Sequence, residues 1–460
     1  MTASATAPDP LAAGRPTRVA LVSLGCARTL VDSEVALGSL KGHGYQIVRD
    51  VKDADVAIVN TCGFIEEAKV ESVETILTLC ERKKKGRLGA VVVLGCLAQR
   101  YGGELREELA EVDGIVGTDS FGALAEVLEP LRAKHARVYD VRPRPTYLLD
   151  EKTPRVALTP PHYAYVKISE GCINACSYCV IPKMKGAHRS RTVESVVSEI
   201  EGLCAERSLS EVLLIGQDTA AFGYDRSRRF ELPELLRAVD RSGRVPWVRL
   251  LYAHPGHIND EMIAALAEGR SLCKYVDFPI EHSHDAMLRR MNRGVDRRTM
   301  MDNILKLRRA MPELTLRTTV IVGFPGETEE EFEDLLQCMK EVRFEKLGAF
   351  IYSPEEGARS VSLPDPIDPA LKRERYEAVM ELQFSISAEI NAAKIGRKMR
   401  VLIDTKDKRS GRYLGRTEGD APEVDGQVKV TSKKELRPGE FVDVTITGAD
   451  EHDLRAETLS

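Results

Sequence analysis

Short β-branched runs alternate with helix-length stretches along most of this chain, and that rhythm leaves few folds open. Residues 19–24, 56–59 and 91–94 read as buried strands. Residues 30–40 and 64–79 between them carry apolar positions at helical spacing. Strand, helix and strand in succession call for a parallel sheet with helices on its faces, because parallel neighbours need a crossover long enough to hold a helix. The rhythm resumes at Tyr163 and runs to about Lys394, with strands expected at 164–168, 211–215, 247–251, 275–278, 315–322 and 347–351. Six such units predict an incomplete (β/α) barrel, with functional groups in the loops after strand C-termini. From Ile395 the pattern changes to short β runs at 399–403, 427–430 and 441–446, with Gly411, Gly415, Gly419, Gly426 and Gly439 in the turns. That composition predicts a small β-barrel. The expected organisation is an α/β chain in five parts: a disordered tail over 1–16, a parallel-sheet domain over 17–142, a proline-rich linker over 143–162, the barrel over 163–394 and the small β-barrel over 395–460.

Composition narrows the function classes. A chain of 460 residues with 43% hydrophobic content can bury several cores. The Ala/Pro/Thr-rich start, Met1 to Pro16, lacks the apolar core of a secretory signal. No apolar run approaches the ~18 residues of a membrane span. A net charge of −5 gives no global basic field for nucleic acid. Ten cysteines in so long a chain are not a small disulfide scaffold, so a reducing cytoplasm is expected, where thiolates are free to hold metal.

Six of those cysteines carry the chemistry. Cys172, Cys176 and Cys179 form a CxxxCxxC run. Three thiolates can hold three irons of a 4Fe–4S cluster and leave the fourth iron open to a substrate or cofactor. Zinc modules usually offer paired CxxC knuckles or histidines at fixed spacing, and His188, nine residues past Cys179, fits no such spacing. In the first domain Cys26, Cys62 and Cys96 each stand just past the carboxyl end of an expected strand. Those ends share one edge of a parallel sheet, so residues 36 and 34 positions apart can converge there as a second three-thiolate site. The bland alternative is that buried cysteines act as small apolar residues. Cys80, at the end of a helix-like run, and Cys204, Cys273 and Cys338 take that alternative.

The two triads, in this order, resemble the methylthiotransferase family of radical S-adenosylmethionine (radical SAM) enzymes. The resemblance rests on Ser23-Leu24-Gly25-Cys26 with Val31-Asp32-Ser33-Glu34, on Asn60-Thr61-Cys62-Gly63-Phe64-Ile65-Glu66-Glu67-Ala68-Lys69, and on Gly95-Cys96-Leu97-Ala98-Gln99-Arg100-Tyr101. It continues through Tyr178 before the last cysteine, Ile181-Pro182-Lys183-Met184-Lys185-Gly186, Gly216-Gln217-Asp218, Gly323-Phe324-Pro325-Gly326-Glu327-Thr328 and Tyr352-Ser353-Pro354-Glu355-Glu356-Gly357, and the last domain resembles a TRAM domain. Ser23–Cys26 with Val31–Glu34, Cys62-Gly63-Phe64-Ile65 and the turn from Gly419 to Gly426 are similar to the branch that modifies small-subunit ribosomal protein twelve rather than tRNA. Three positions depart from the family pattern: Thr29 stands where Asn is expected, Glu281 where Gln is, and His284 where Ser is.

The resemblance implies two 4Fe–4S clusters and S-adenosylmethionine (SAM) as cofactors. An unactivated C–H bond has no acidic proton for a general base, and radical chemistry belongs to cofactors. The cluster on Cys172, Cys176 and Cys179 would bind and reduce SAM, and the resulting 5′-deoxyadenosyl radical would take hydrogen from the target carbon. The cluster on Cys26, Cys62 and Cys96 would deliver sulfur, and a second SAM the methyl group. Tyr178 would lie against the adenine, and Gly216, Gln217 and Asp218 near the methionine amino group. Gly323 to Gly326 would either offer backbone groups to the cofactor or turn the chain. The implied substrate is an aspartate β-carbon in ribosomal protein twelve, free or on the ribosome, with electrons from a donor such as flavodoxin or ferredoxin. His254, His257, His282 and His284 are left outside the site.

Two alternatives stand beside this reading: a tRNA adenosine methylthiotransferase with the same clusters, and a non-catalytic iron–sulfur protein. Charge bears on the choice. Residues 395–460 carry 13 Lys+Arg and 13 Asp+Glu, whereas a module gripping tRNA needs surplus cations. The acidic turn with Asp420, Glu423 and Asp425 is expected to attract a basic ribosomal protein.

Overall fold

A computed structural model describes residues 15–134 and 136–459. Most of the expected tail therefore lies outside the described residues; its last part does not, since the Arg15 guanidinium donates to Asp55 at 2.9 Å. The chain forms two compact units: one takes the chain through residue 158 together with 170–172 and 180–188, the other takes 159–169, 173–179 and 189–460.

The first unit is built on a six-stranded, all-parallel sheet of β1 (Arg18–Ser23), β2 (Gln46–Ile47), β3 (Val56–Thr61), β4 (Ala90–Gly95), β5 (Gly114–Val116) and β6 (Val138–Asp140), in spatial order β2-β1-β3-β4-β5-β6. Both faces are covered. Ile58, Val92 and Leu94 pack with Val35, Leu40 and Phe121, while Ala57, Val59, Val91 and Val93 pack with Ile76 and Leu79. That is why the central strands are unbroken apolar runs instead of alternating ones. The three strands beyond the expected set are two or three residues long, too short for a pattern to declare itself. The proline-rich stretch is anchored on this unit: Arg155 donates to Glu34 at 3.1 Å, and Tyr147 N–H to Asp119 at 2.5 Å.

The second unit holds two bodies. Strands Tyr163–Lys167, Glu211–Ile215, Trp247–Leu250, Leu272–Asp277, Thr315–Val322 and Lys346–Ile351 pair in parallel, each with its neighbour in the sequence, and the sheet does not close. This is the expected incomplete barrel. Strands Lys398–Lys406, Tyr413–Thr417, Val428–Thr431, Phe441–Ala449 and Leu454–Thr458 close into a small barrel around Val401, Ile403, Val428, Val430, Val444 and Ile446. Two of these strands went unforeseen, because Tyr-Leu-Gly-Arg-Thr gives the apolar core only Tyr413 and Leu-Arg-Ala-Glu-Thr gives it only Leu454 and Ala456.

The small barrel docks on the starts of the large barrel's strands, through buried charge. Arg249 donates to Glu211 at 2.7 Å, and Arg416 donates to the other Glu211 oxygen at 2.6 Å. Arg416 also forks onto Asp404, at 2.8 and 3.0 Å, and His162 lies 2.8 Å from the same carboxylate. The acidic turn corrects an expectation. Asp420 is buried and pairs with Lys346 at 2.8 Å, and Asp425 accepts from the Tyr275 hydroxyl at 2.7 Å and faces Arg317 at 3.5 Å. These two carboxylates serve the joint between the barrels and are not offered to a partner.

Burial alone would raise the Asp420 carboxyl, but Lys346, Lys394 and the Thr417 hydroxyl outweigh it and bring it to about 2, below the ordinary 3.8. A depressed carboxyl contributes stability that is complete above its ordinary value and is lost as pH falls through the folded one. The melting temperature is therefore expected to fall more steeply between about pH 4 and pH 2 in the native chain than in Asp420→Asn. Parallel pH profiles in thermal unfolding would refute this. Asp425, raised by burial, works in the opposite sense and is common to both proteins.

Candidate metal centre and cofactor loops

Cys26, Cys62 and Cys96 stand at three successive βα turns on the carboxyl edge of the first sheet. Cys26 caps the helix Ala27–Gly42, Cys62 follows β3, and Cys96 opens the helix Cys96–Glu108 directly after β4. The backbone brings the turns together. Gly25 holds φ +95°, and a Cβ there would stand 3.1 Å from Cys62 Cβ and 3.5 Å from its sulfur. A Cβ on Gly63 would stand 2.9 Å from the Cys96 carbonyl carbon. The positive φ at Gly25 and the backbone contact at Gly63 each call for glycine.

Buried polar side chains hold this arrangement. Asn60, fully buried, donates to the Thr29 carbonyl at 3.0 Å and to Ser33 Oγ at 2.9 Å, tying the end of β3 to the turn after Cys26. Cys62 N–H donates to Ser72 Oγ at 3.2 Å. Of the residues 31–34, Asp32 pairs with Lys185 at 2.8 Å, Ser33 with Asn60, and Glu34 with Arg155. Thr29, the departure, places its hydroxyl 3.7 Å from Cys26 Sγ, so a short side chain with one donor is used there. Sequence reasoning quoted these residues as a signature without finding their work. Asn60 at the end of an apolar strand was the signal available, since a buried amide must be paired.

The three thiols differ. Desolvation would raise Cys26, but Arg28, donating to its sulfur at 3.5 Å, and Thr29 bring it down to about 6. Burial pushes Cys62 up and Cys96 up to about 12, Cys96 being eased by Lys185. The Gly25 and Gly63 contacts set the turns that carry Cys26, Cys62 and Cys96 side by side. None of the ten cysteines is in a disulfide. Three convergent thiols beside helix N-termini form a donor set that fits a cluster with one open iron, because metal supplies the free energy that deprotonates raised ligands. The other four cysteines line cores or helices, as expected: Cys80, Cys273 and Cys338 are buried, and Cys204 is half-buried.

In the second unit, residues 173–179 are laced to the segment after Leu272–Asp277. Ser177 donates to the Arg290 carbonyl and its N–H to the Met291 carbonyl, each at 2.8 Å. Asn292 donates to the Ala175 carbonyl at 2.7 Å, and Arg293 to Cys176 Sγ at 3.4 Å. Tyr178 is half-buried against Met287, Met291, Phe324 and Tyr352. Cys172 follows Gly171 on the same loop, within the first unit.

Gly216, Gln217 and Asp218 follow the strand Glu211–Ile215, at a carboxyl end. Gly216 passes so close to Ser169 that a Cβ would stand 2.6 Å from its hydroxyl, and Gln217 is half-buried. Asp218 is 1% exposed and engaged by three donors: Asn174 Nδ2 at 2.8 Å, His257 Nδ1 at 2.7 Å and His254 N–H at 3.2 Å. Burial would raise its carboxyl, but the His257 hydrogen bond and charge, His254 and Asn174 hold it well below the usual range. Asp218 thus grips Asn174, between Cys172 and Cys176. His254 and His257, left outside the site on sequence grounds, are part of that grip. Glu281 sits at φ +66° with an oxygen 3.9 Å from Arg293.

Similarity to known proteins follows these features closely. Residues 166–339 match the radical SAM superfamily, 18–117 an uncharacterised protein family, UPF0004, and 395–459 the TRAM domain. A ribosomal protein uS12 methylthiotransferase RimO of Caldanaerobacter subterraneus subsp. tengcongensis is 47% identical over 440 residues, 95% of this chain and 99% of that protein. One of the same name from Desulfitobacterium hafniense is 44% identical over 96% of this chain and 98% of its own length.

The chain belongs to the ribosomal protein uS12 methylthiotransferase family.

It is a radical SAM methylthiotransferase, and members of this family work with SAM and 4Fe–4S clusters. At the level of fold it is similar to the radical SAM methyltransferase TsrM of Kitasatospora setae, with a TM-score of 0.54, 16% identity and coverage of 74% of this chain and 75% of that one. No helix among the described residues is long and apolar enough to cross a membrane.

Proposed function

We propose that this enzyme adds a methylthio group to the β-carbon of an aspartate in ribosomal protein uS12, with Cys172, Cys176 and Cys179 holding one 4Fe–4S cluster and Cys26, Cys62 and Cys96 the other. The observation that carries the reading is the convergence of the first triad on one sheet edge, in a chain 47% identical over nearly its full length to a uS12 methylthiotransferase. When bound, the clusters and SAM supply reducing power, a carbon-centred radical and an iron that handles sulfur.

The chain's own residues bind and orient. Arg293 sets a cation against the Cys176 sulfur, and Asp218, through Asn174, fixes the loop that carries Cys176. Gly216 and Gln217 stand on the same strand-end loop and would hold the methionine end of SAM. Tyr178, its ring backed by Met287 and Phe324, would lie beside the adenine. Asn60 and Ser72 keep Cys62 aimed at the neighbouring turns. The electron donor is a small flavodoxin- or ferredoxin-type protein, the site of action is the cytoplasm, and uS12 is met free or on the ribosome. A barrel with 13 cations against 13 anions, whose turn is spent on the internal joint, favours a protein substrate over tRNA only through its lack of surplus positive charge.

Anaerobically prepared protein is expected to contain about eight irons per chain, as two four-iron clusters require. A value near four would remove the second cluster. Deleting the gene and running mass spectrometry on ribosomal proteins and digested tRNA tests the substrate. Loss of a methylthio shift from uS12 is the expected result, and loss from adenosine instead would overturn the reading.

A further inference from the structure

The first unit contains a buried ion pair that the expected chemistry leaves unused. Lys185 ends the short helix Ile181–Lys185, and its ammonium lies 2.8 Å from Asp32 Oδ2, with the two side chains 5% and 3% exposed. Glu170 stands 3.9 Å away, and the Phe121 ring centre 5.1 Å away. Taking two charges out of water costs several kcal/mol per ion, so a buried pair is weak evidence for stability and calls for another reason to be there. Its place supplies one. The helix Ile181–Lys185 packs on the helix Cys96–Glu108, whose first residue is Cys96, and is pinned there by the Thr118 hydroxyl donating to the Met184 carbonyl at 2.7 Å. Asp32 lies on the helix that Cys26 caps. The cation is thus held between elements that begin at two of the three thiols, and Lys185 and Asp32 both act electrostatically on Cys96.

We propose that the Lys185–Asp32 pair is a positioning device that sets the reduction potential of the cluster on Cys26, Cys62 and Cys96, an inference that rests on the triad holding one. A cluster on three thiolates is anionic and gains another negative charge on reduction. A fixed cation nearby favours the reduced form, and Asp32 fixes the cation while tempering it.

The test is a redox titration followed by electron paramagnetic resonance, in the full-length chain carrying Cys176→Ala so that one cluster reports. Lys185→Met is expected to lower the midpoint by about 59 mV, a tenfold change in the one-electron equilibrium. Lys185→Arg should restore most of it. Asp32→Asn should move the midpoint the other way, which a merely structural role would not do. If Lys185→Met loses iron, the Asp32→Asn and Lys185→Arg proteins carry the test. Shifts of the same sign in Lys185→Met and Asp32→Asn, or none, with about four irons retained would overturn the proposal. Absence of iron from the Cys176→Ala parent would instead overturn the triad's assignment, and the proposal with it.

Discussion

Cys176→Ala is expected to abolish SAM cleavage, and Cys62→Ala to keep much of that cleavage while producing no methylthiolated uS12. The two variants separate because the thiols stand in different surroundings. Cys176 is buried under Arg293, in a loop whose hydrogen bonds run to residues 290–292 and, through Asn174, to Asp218. Removing its sulfur takes a ligand from the cluster proposed to reduce SAM. Cys62 has its partners in the first unit, Ser72 and the neighbouring turns at Gly25 and Cys96. Chromatography of 5′-deoxyadenosine and mass spectrometry of uS12, run on the same anaerobic samples, read the two activities separately. If both variants methylthiolate, the ligand assignment is wrong. If Cys62→Ala loses cleavage while its iron falls only by half, the division of labour between the triads is wrong.

Glu211→Ala is expected to destabilise the second unit by about 3–5 kcal/mol, the usual cost of breaking a buried ion pair. Glu211 and Arg249 are both fully buried, and Glu211 takes a hydrogen bond from each of Arg249 and Arg416, one on the large barrel and one on the small. Its removal leaves two buried guanidinium groups short of a carboxylate, though Arg416 keeps Asp404 and Arg249 keeps the Glu418 carbonyl at 2.6 Å. Urea unfolding followed by circular dichroism measures the loss. A cost below about 1 kcal/mol, typical of a surface pair, would show that the joint does not depend on this carboxylate. Replacing Glu211 and Arg249 together by Leu and Met should recover much of the stability, because both charges of that pair leave together while Arg416 keeps Asp404.

The joint also shows where local reading stopped. Asp420 and Asp425 look like part of a solvated acidic turn when read along the chain, because no basic residue stands between Glu418 and Gln427. Their partners Lys346 and Arg317 lie on strands of a different body, roughly a hundred residues earlier. Charge complementarity of that kind is invisible until the fold brings the strands' starts together. The same holds for His254 and His257. Two loop histidines carry no signal by themselves, and only the neighbouring strand end shows that they clasp Asp218.

What the chain determined by itself is what depends on period and local spacing. The βα rhythm required parallel sheets, a parallel sheet puts strand ends on one edge, and Cys26, Cys62 and Cys96 at three such ends had to be neighbours. The CxxxCxxC run is a local arrangement of thiols and needed no fold to be seen. The tertiary structure decided how those thiols are held and charged. Asn60 reaches the turn after Cys26, Arg293 meets the Cys176 sulfur, and Lys185 is buried on Asp32. Each joins residues from 31 to 153 positions apart. A hydrogen bond or ion pair at that separation has no sequence period, and its strength comes from burial that only packing creates.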